Sequence, residues 1–235
     1  PGDLALAHVT PSGDWQVMYY YERFLPEGVE TRSLRQWQLE QFYGNRYEDG
    51  LPALLPAYDH IWLMHWSNDT SAFDFLAQSG HQQTAVITED WLGNDLSVYR
   101  FDVLPDDPTA VYENGLILRD AVFHTDALRL DLWWGTDAPI DADYTVSAQL
   151  LAADGSLIAQ HDSGPFNNTR PTSTINSGDG VYDPHALTLA DGVDAIAPGE
   201  YTVNVKVYRW TAETGIIDQI TVDGETSIIV DAVRF

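Results

Sequence analysis

Residues 144–208 read YTVSAQLLAADGSLIAQHDSGPFNNTRPTSTINSGDGVYDPHALTLADGVDAIAPGEYTVNVKVY, and their pattern decides the fold of the C-terminal half. The stretch opens and closes on strands. In EYTVNVKVY the residues Tyr201, Val203, Val205 and Val207 alternate with Thr202, Asn204 and Lys206, the period-2 signature of a strand with one dry face and one wet face. Asp154-Gly155 marks a hairpin turn, since glycine takes a positive φ without steric cost. Between the strands, His161 to His185 is crowded with Asp, Asn, Thr, Pro and Gly and reads as a long surface loop held by side-chain bonds to its own backbone.

Outward from this stretch the same texture continues. LILRDAVFH and ALRLDLWW lie upstream, IDQITV and TSIIVDAVRF downstream, and Asp223-Gly224 supplies another hairpin pair. Strands at these spacings with no helical pattern between them predict an antiparallel, immunoglobulin-like β-sandwich over residues 109–235. The character changes at Pro105-Asp106-Asp107-Pro108. Before it, strand and helix patterns alternate. Asp3 to Val9 reads as a buried strand, and Asp14 as the N-cap of a helix running into Phe24. From Val29 to Tyr43 the pattern fits two readings, SLRQWQLEQFYG as a helix stopped by Gly44, the favoured one, or as an extended arm, and HIWLMHW reads as a strand covered on both faces. SNDTSAFDFLAQSG reads as a helix capped by Asp69 or Thr70 and ended by Gly80, followed by two strands around Leu92-Gly93-Asn94-Asp95. Residues 1–104 are therefore expected to form a small, three-layer, Rossmann-like α/β unit, making the whole chain an α+β two-domain protein.

Thirty-six acidic against 11 basic residues leave a formal net charge of -25, with Lys206 the sole lysine. Such a surface repels phosphates and anionic headgroups, so nucleic acid is set aside as a partner. The absence of cysteine excludes disulfides, thiolate metal sites and cysteine nucleophiles. The turn SGD after the first strand has neither the glycines nor the lysine of a nucleotide-binding loop. Because PGDLALAHV enters a strand at once, the sequence is expected to be cut from something longer, with the missing part N-terminal.

The residues between His161 and His185 offer two kinds of chemistry. Asp162, Asp179 and Asp183 bring oxygen ligands to one loop and would suit calcium, although the spacing fits no EF-hand. Trp133 and Trp134, with Asn167, Asn168 and Arg170, supply rings and polar groups for a carbohydrate, and Trp210 and Trp91 are further stacking candidates. The competing reading of each is ordinary packing or a self-bonded loop. A Ser-His-Asp set could be written from Ser163 or Ser173, His185 and Asp179, but no G-x-S-x-G turn accompanies it. His60 and His65, five residues apart in a strand, fall on opposite faces and cannot share a metal unaided.

One resemblance covers most of the chain. Tyr144-Thr145-Val146, Asp154-Gly155, Gln160, Asp162, Pro165, Pro171-Thr172-Ser173, Gly178-Asp179, Asp183, His185, Pro198-Gly199-Glu200-Tyr201, Val207-Tyr208 and Thr214-Gly215 resemble the C-terminal region of bacterial polytopic membrane glycosyltransferases. The type is the dolichyl-phosphate-mannose protein mannosyltransferase, glycosyltransferase family 39. PGDLAL, Tyr58-Asp59-His60-Ile61-Trp62-Leu63 and Leu96-Ser97-Val98-Tyr99-Arg100-Phe101 look like the segment after the last membrane helix of such proteins. Ile175 stands where that pattern carries a tryptophan.

The resemblance implies a non-catalytic accessory region on the extracytoplasmic face of a bacterial membrane. Its partners would be the parent's N-terminal transmembrane region and a glycan or lipid-linked sugar. Catalysis would belong to the membrane part, so no catalytic residue carries over. The other reading is a stand-alone carbohydrate-binding or cell-surface module.

Overall fold

The computed structural model describes residues 3–9, 29–34, 54–66, 70–91, 94–211 and 217–235. The chain divides into two compact units, Pro1–Val103 and Leu104–Phe235.

In the first unit, β1 (Leu4–Val9), β2 (Glu30–Ser33), β3 (His60–Trp66), β4 (Gln82–Trp91) and β5 (Asn94–Asp102) form one sheet in the order β2-β1-β3-β5-β4. β1 runs parallel to both β2 and β3. All six residues of β1 are buried, as expected for the continuous apolar run of a strand covered on both faces. Helix α1 (Ser71–Gln78) follows β3 and buries Ala72 and Leu76, one turn apart, against Leu4, Leu6, Ile61, Leu63 and Phe101. It stops at Gly80, which sits at φ +86. Thr70 occupies its N-cap position without a side-chain bond.

The described residues do not support the expected three-layer, Rossmann-like arrangement. β5 pairs antiparallel with both β3 and β4, and α1 is the one α-helix among the described residues. The cause is local: only two residues separate Trp91 from Asn94, which allows a hairpin and forbids the long crossover a parallel strand needs. Glu30–Ser33 is a strand, and of the segment SLRQWQLEQFYG only Ser33 and Leu34 lie among the described residues. The helix capped by Asp14, the rest of the segment to Tyr43, the cap candidate Asp69, the turn residues Leu92 and Gly93, and Thr214-Gly215 lie outside the described residues. No helix among the described residues is long and apolar enough to cross a membrane.

The second unit holds two antiparallel sheets. β6 (Ala110–Val111), β7 (Leu116–His124), β8 (Arg129–Thr136) and β11 (Val181–Ala186) form one, in the order β11-β8-β7-β6. β9 (Thr145–Ala152), β10 (Leu157–Ser163), β12 (Thr188–Leu189) and β13 (Glu200–Trp210) form the body of the other, in the order β12-β10-β9-β13. The free side of β13 is divided: β15 (Ile228–Arg234) pairs with Glu200–Val205, and β14 (Ile217–Ile220) with Val207–Trp210.

One core joins the two sheets. Leu130, Leu132 and Trp134 of β8 meet Val146, Ala148 and Leu150 of β9 and Val203, Val205 and Val207 of β13. Every second residue of each strand points inward, as alternation requires. Ile175 is buried in the same core, so an aliphatic side chain fills the place of the tryptophan in the resembled pattern. At the Asp223-Gly224 turn both residues have positive φ, 52° and 85°, the geometry that matches strand twist in a tight hairpin.

Candidate functional site

β11 lies at the edge of the four-stranded sheet, and register places Asp183 opposite Leu132 and His185 opposite Leu130, both core positions. The two polar side chains therefore enter the interior while Pro184 turns outward. Asp183 and His185 are both 0% exposed. A buried carboxylate must be given donors, and Asp183 has three. Trp134 Nε1 donates to Oδ2 at 2.9 Å, the Phe166 amide donates to Oδ1 at 2.8 Å, and His185 Nε2 lies 2.9 Å from Oδ2.

The chain of contacts continues across the sandwich. His185 Nδ1 lies 2.9 Å from Nδ1 of His161 on β10, with the rings edge-to-face at 5.0 Å. If Nε2 of His185 carries the proton given to Asp183, its Nδ1 accepts, and His161 donates from Nδ1. The network assigns one tautomer to each ring. Burial, followed by the proximity of His185, holds the His161 imidazole below its usual basicity, against the opposing pull of Asp183 and Asp162. The result is a directed bridge, His161 to His185 to Asp183, tying an edge strand of one sheet to a strand of the other.

The bridge does not make a hydrolase. Asp179, written into the candidate triad, instead caps Asn176 (N and Nδ2, both 3.0 Å) and pairs with Arg170 at 3.1 Å. Ser173 Oγ donates to Asp143 at 2.6 Å, and the buried Ser163 Oγ has no hydrogen bond among the described residues. Among the described residues, neither Ser163 nor Ser173 hydrogen-bonds His185.

The calcium candidates do not meet. Asp183 is sealed between the sheets, Asp179 is engaged within its loop, and Asp162 is exposed on the outer side of β10. Among the described residues no group of three or more His, Cys, Asp or Glu is placed to hold a metal ion. Asn167, Asn168 and Arg170 are exposed, but their loop is bonded to itself. Phe166, Asn167 and Asn168 take left-handed φ of 51°, 51° and 64°. Asn168 Oδ1 accepts from the Gly164 amide at 2.7 Å, and Thr169 Oγ1 donates to the Phe166 carbonyl at 2.6 Å.

The paired tryptophans are corrected most sharply. Trp133 is 1% and Trp134 0% exposed, so neither presents a ring face to a sugar. Trp134 is a core residue whose indole N–H serves Asp183, and Trp133 lies 5.5 Å from the Tyr182 ring. Trp210 is the opposite case, 60% exposed at the end of β13. The ring of Trp91 lies outside the described residues.

Sequence reasoning missed two other buried carboxylates. Asp131 accepts from Tyr182 Oη (3.0 Å) and Arg129 Nη2 (3.0 Å), with His124 Nε2 at 3.0 Å. Asp102 in the first unit accepts from Arg100 Nε (3.0 and 3.1 Å) and from the Thr84 hydroxyl, with His60 Nδ1 at 2.7 Å. The signal was available: Arg100/Asp102, Arg129/Asp131 and Asp183/His185 are each two residues apart in a strand, and so on one face.

No family model matches the chain, and no curated protein matches it. Among solved structures, an endonuclease/exonuclease/phosphatase from Beutenbergia cavernae is similar at 13% identity, with TM-score 0.24, covering 64% of this chain and 35% of that one. A β-glucuronidase from Ruminococcus gnavus, in complex with D-glucuronic acid, is similar at 12% identity, with TM-score 0.22, covering 60% of this chain and 22% of that one. The chain thus spans about a third of the first and about a fifth of the second, and likeness at these scores carries no argument about fold or chemistry.

Proposed function

We propose that this chain is a non-catalytic accessory region of a membrane glycosyltransferase of the dolichyl-phosphate-mannose protein mannosyltransferase type. It stands on the extracytoplasmic face, where it positions an acceptor or stabilises the parent enzyme, and its second unit is a sandwich of the immunoglobulin-like kind. The observation that carries the reading is the placement of the acid and imidazole groups. General acid–base chemistry requires a group within hydrogen-bond reach of the substrate. Asp183 and His185, the carboxylate–imidazole pair between residues 144 and 208, are shut between the sheets and spend their bonds on each other, Trp134, Phe166 and His161. Such a pair serves architecture.

The test is sugar transfer from a polyprenyl-phosphate sugar by the parent enzyme, with and without residues 1–235. Removal should lower transfer or the yield of folded enzyme, and the isolated chain should turn over neither esters nor glycosides. Unchanged transfer by a stable truncated enzyme, or turnover by the isolated chain, would overturn the reading.

A further inference from the structure

We propose that the outer face of the β10–β9–β13 sheet is a binding platform for a neutral carbohydrate chain, with Trp210 and Tyr208 as its stacking residues. The proposal deepens the acceptor-positioning role above and rests on it.

Alternation fixes the face. Val203, Val205 and Val207 are buried in the core, so Lys206, Tyr208 and Trp210 point the other way. On β10 the inward position is taken by His161, which leaves Asp162 outward. A lone exposed aromatic is ordinary on a protein surface. Here the 60% exposed indole of Trp210 shares its strand face with Tyr208, two residues or about 7 Å away. That spacing suits consecutive rings of a sugar chain, whose C–H faces lie on aromatic surfaces while hydroxyls reach to the side.

The neighbours are suited to hydroxyls. Register aligns Asp162, Ser147 and Lys206 across three strands, and Gln160, Gln149 and Asn204 in the adjacent row; Ser147 and Asn204 are buried, so the polar groups open to a ligand are those of Asp162, Lys206, Gln160 and Gln149. Burial and the charge of Asp162 both raise the Tyr208 phenol above its ordinary value, so it remains a protonated donor. The platform carries one negative and one positive side chain in its central row, on a chain with a net charge of -25. That charge disfavours an anionic chain, and the two opposite charges on the face give it no net field of its own to hold a charged one.

Intrinsic tryptophan fluorescence would be titrated with gluco-, manno- and xylo-hexaose, and with polygalacturonate as the anionic arm. At least one neutral hexaose should bind. Trp210→Ala should weaken that binding about tenfold or more and Tyr208→Ala by a smaller factor. Val111→Ser, which removes a 53% exposed apolar residue on β6, should change nothing. Circular dichroism should show Trp210→Ala folded. Binding of polygalacturonate alone, no neutral ligand at millimolar concentration, or full affinity in Trp210→Ala would overturn the platform. If the platform fails while sugar transfer still depends on residues 1–235, the accessory role stands without it. Hexaose binding that Trp210→Ala abolishes, joined to indifferent transfer, would confirm the platform and remove the accessory role.

Discussion

Asp102 in the first unit and Asp183 in the second are both 0% exposed, yet they are made tolerable in different ways. Asp102 has a counter-charge on its own strand: Arg100, two residues away on the same face, lies at 3.0 Å, with His60 across the ladder at 2.7 Å. Asp183 takes its hydrogen bonds from an indole, a backbone amide and an imidazole, and no lysine or arginine among the described residues pairs with it. Each carboxylate touches one imidazole; what separates them is that Asp102 also has a guanidinium that stays charged at any ordinary pH, whereas the other donors to Asp183 are neutral.

The largest effect expected from this contrast is at the first site. Asp102→Ala removes the carboxylate that Arg100 Nε donates to and should cost about 3–5 kcal/mol in urea unfolding, while a loss under 1 kcal/mol would mean that the guanidinium is held by its other contacts, the Trp62 ring among them. Asp183→Asn keeps the volume but turns an N–H toward the Trp134 and His185 donors. Its expected cost in the same measurement is about 2–3 kcal/mol. Trp134→Phe removes one charge-directed donor and leaves most of the packing, so about 1.5 kcal/mol is expected. A neutral result there would show that the indole N–H contributes only shape.

The smallest effect is the most specific. The folded His161 is held below the usual imidazole value, so the folded state disfavours its protonation. Stability from this group is whole above about pH 6.5 and is lost as pH falls through that value toward the folded one. The hydrogen-exchange protection factors of β10 and β11 amides, corrected for intrinsic exchange, should fall as pH drops through that window in the wild type. In His161→Gln the pH dependence of that local protection should disappear.

How much of this was legible follows from range. The strand pattern of EYTVNVKVY and the Asp223-Gly224 turn are local, and both stand as read. Trp133-Trp134 failed because the composition that suits a sugar platform also suits a core, and only register with Val181 and Tyr182, nearly fifty residues away, separates the two. Asp183 was grouped with Asp162 and Asp179 by proximity in sequence, but its partners are Trp134, 49 residues back, and His185 and Phe166. In the first unit the parallel pairing of β1 with β2 and β3 agrees with an alternating strand–helix pattern; the antiparallel return of β4 and β5 was announced by a two-residue gap that was read as a turn without its topological meaning.

The position of β13 also sets an order of events on the ribosome. It supplies the only described link from β9 to β14 and β15, yet it begins 48 residues after β9 ends. Until about residue 210 has emerged, the nascent β9–β10 hairpin exposes an unpaired edge and the apolar side of Val146, Ala148 and Leu150. At synthesis rates of about 5–20 residues per second that exposure lasts several seconds, the interval in which a chaperone would have most to hold.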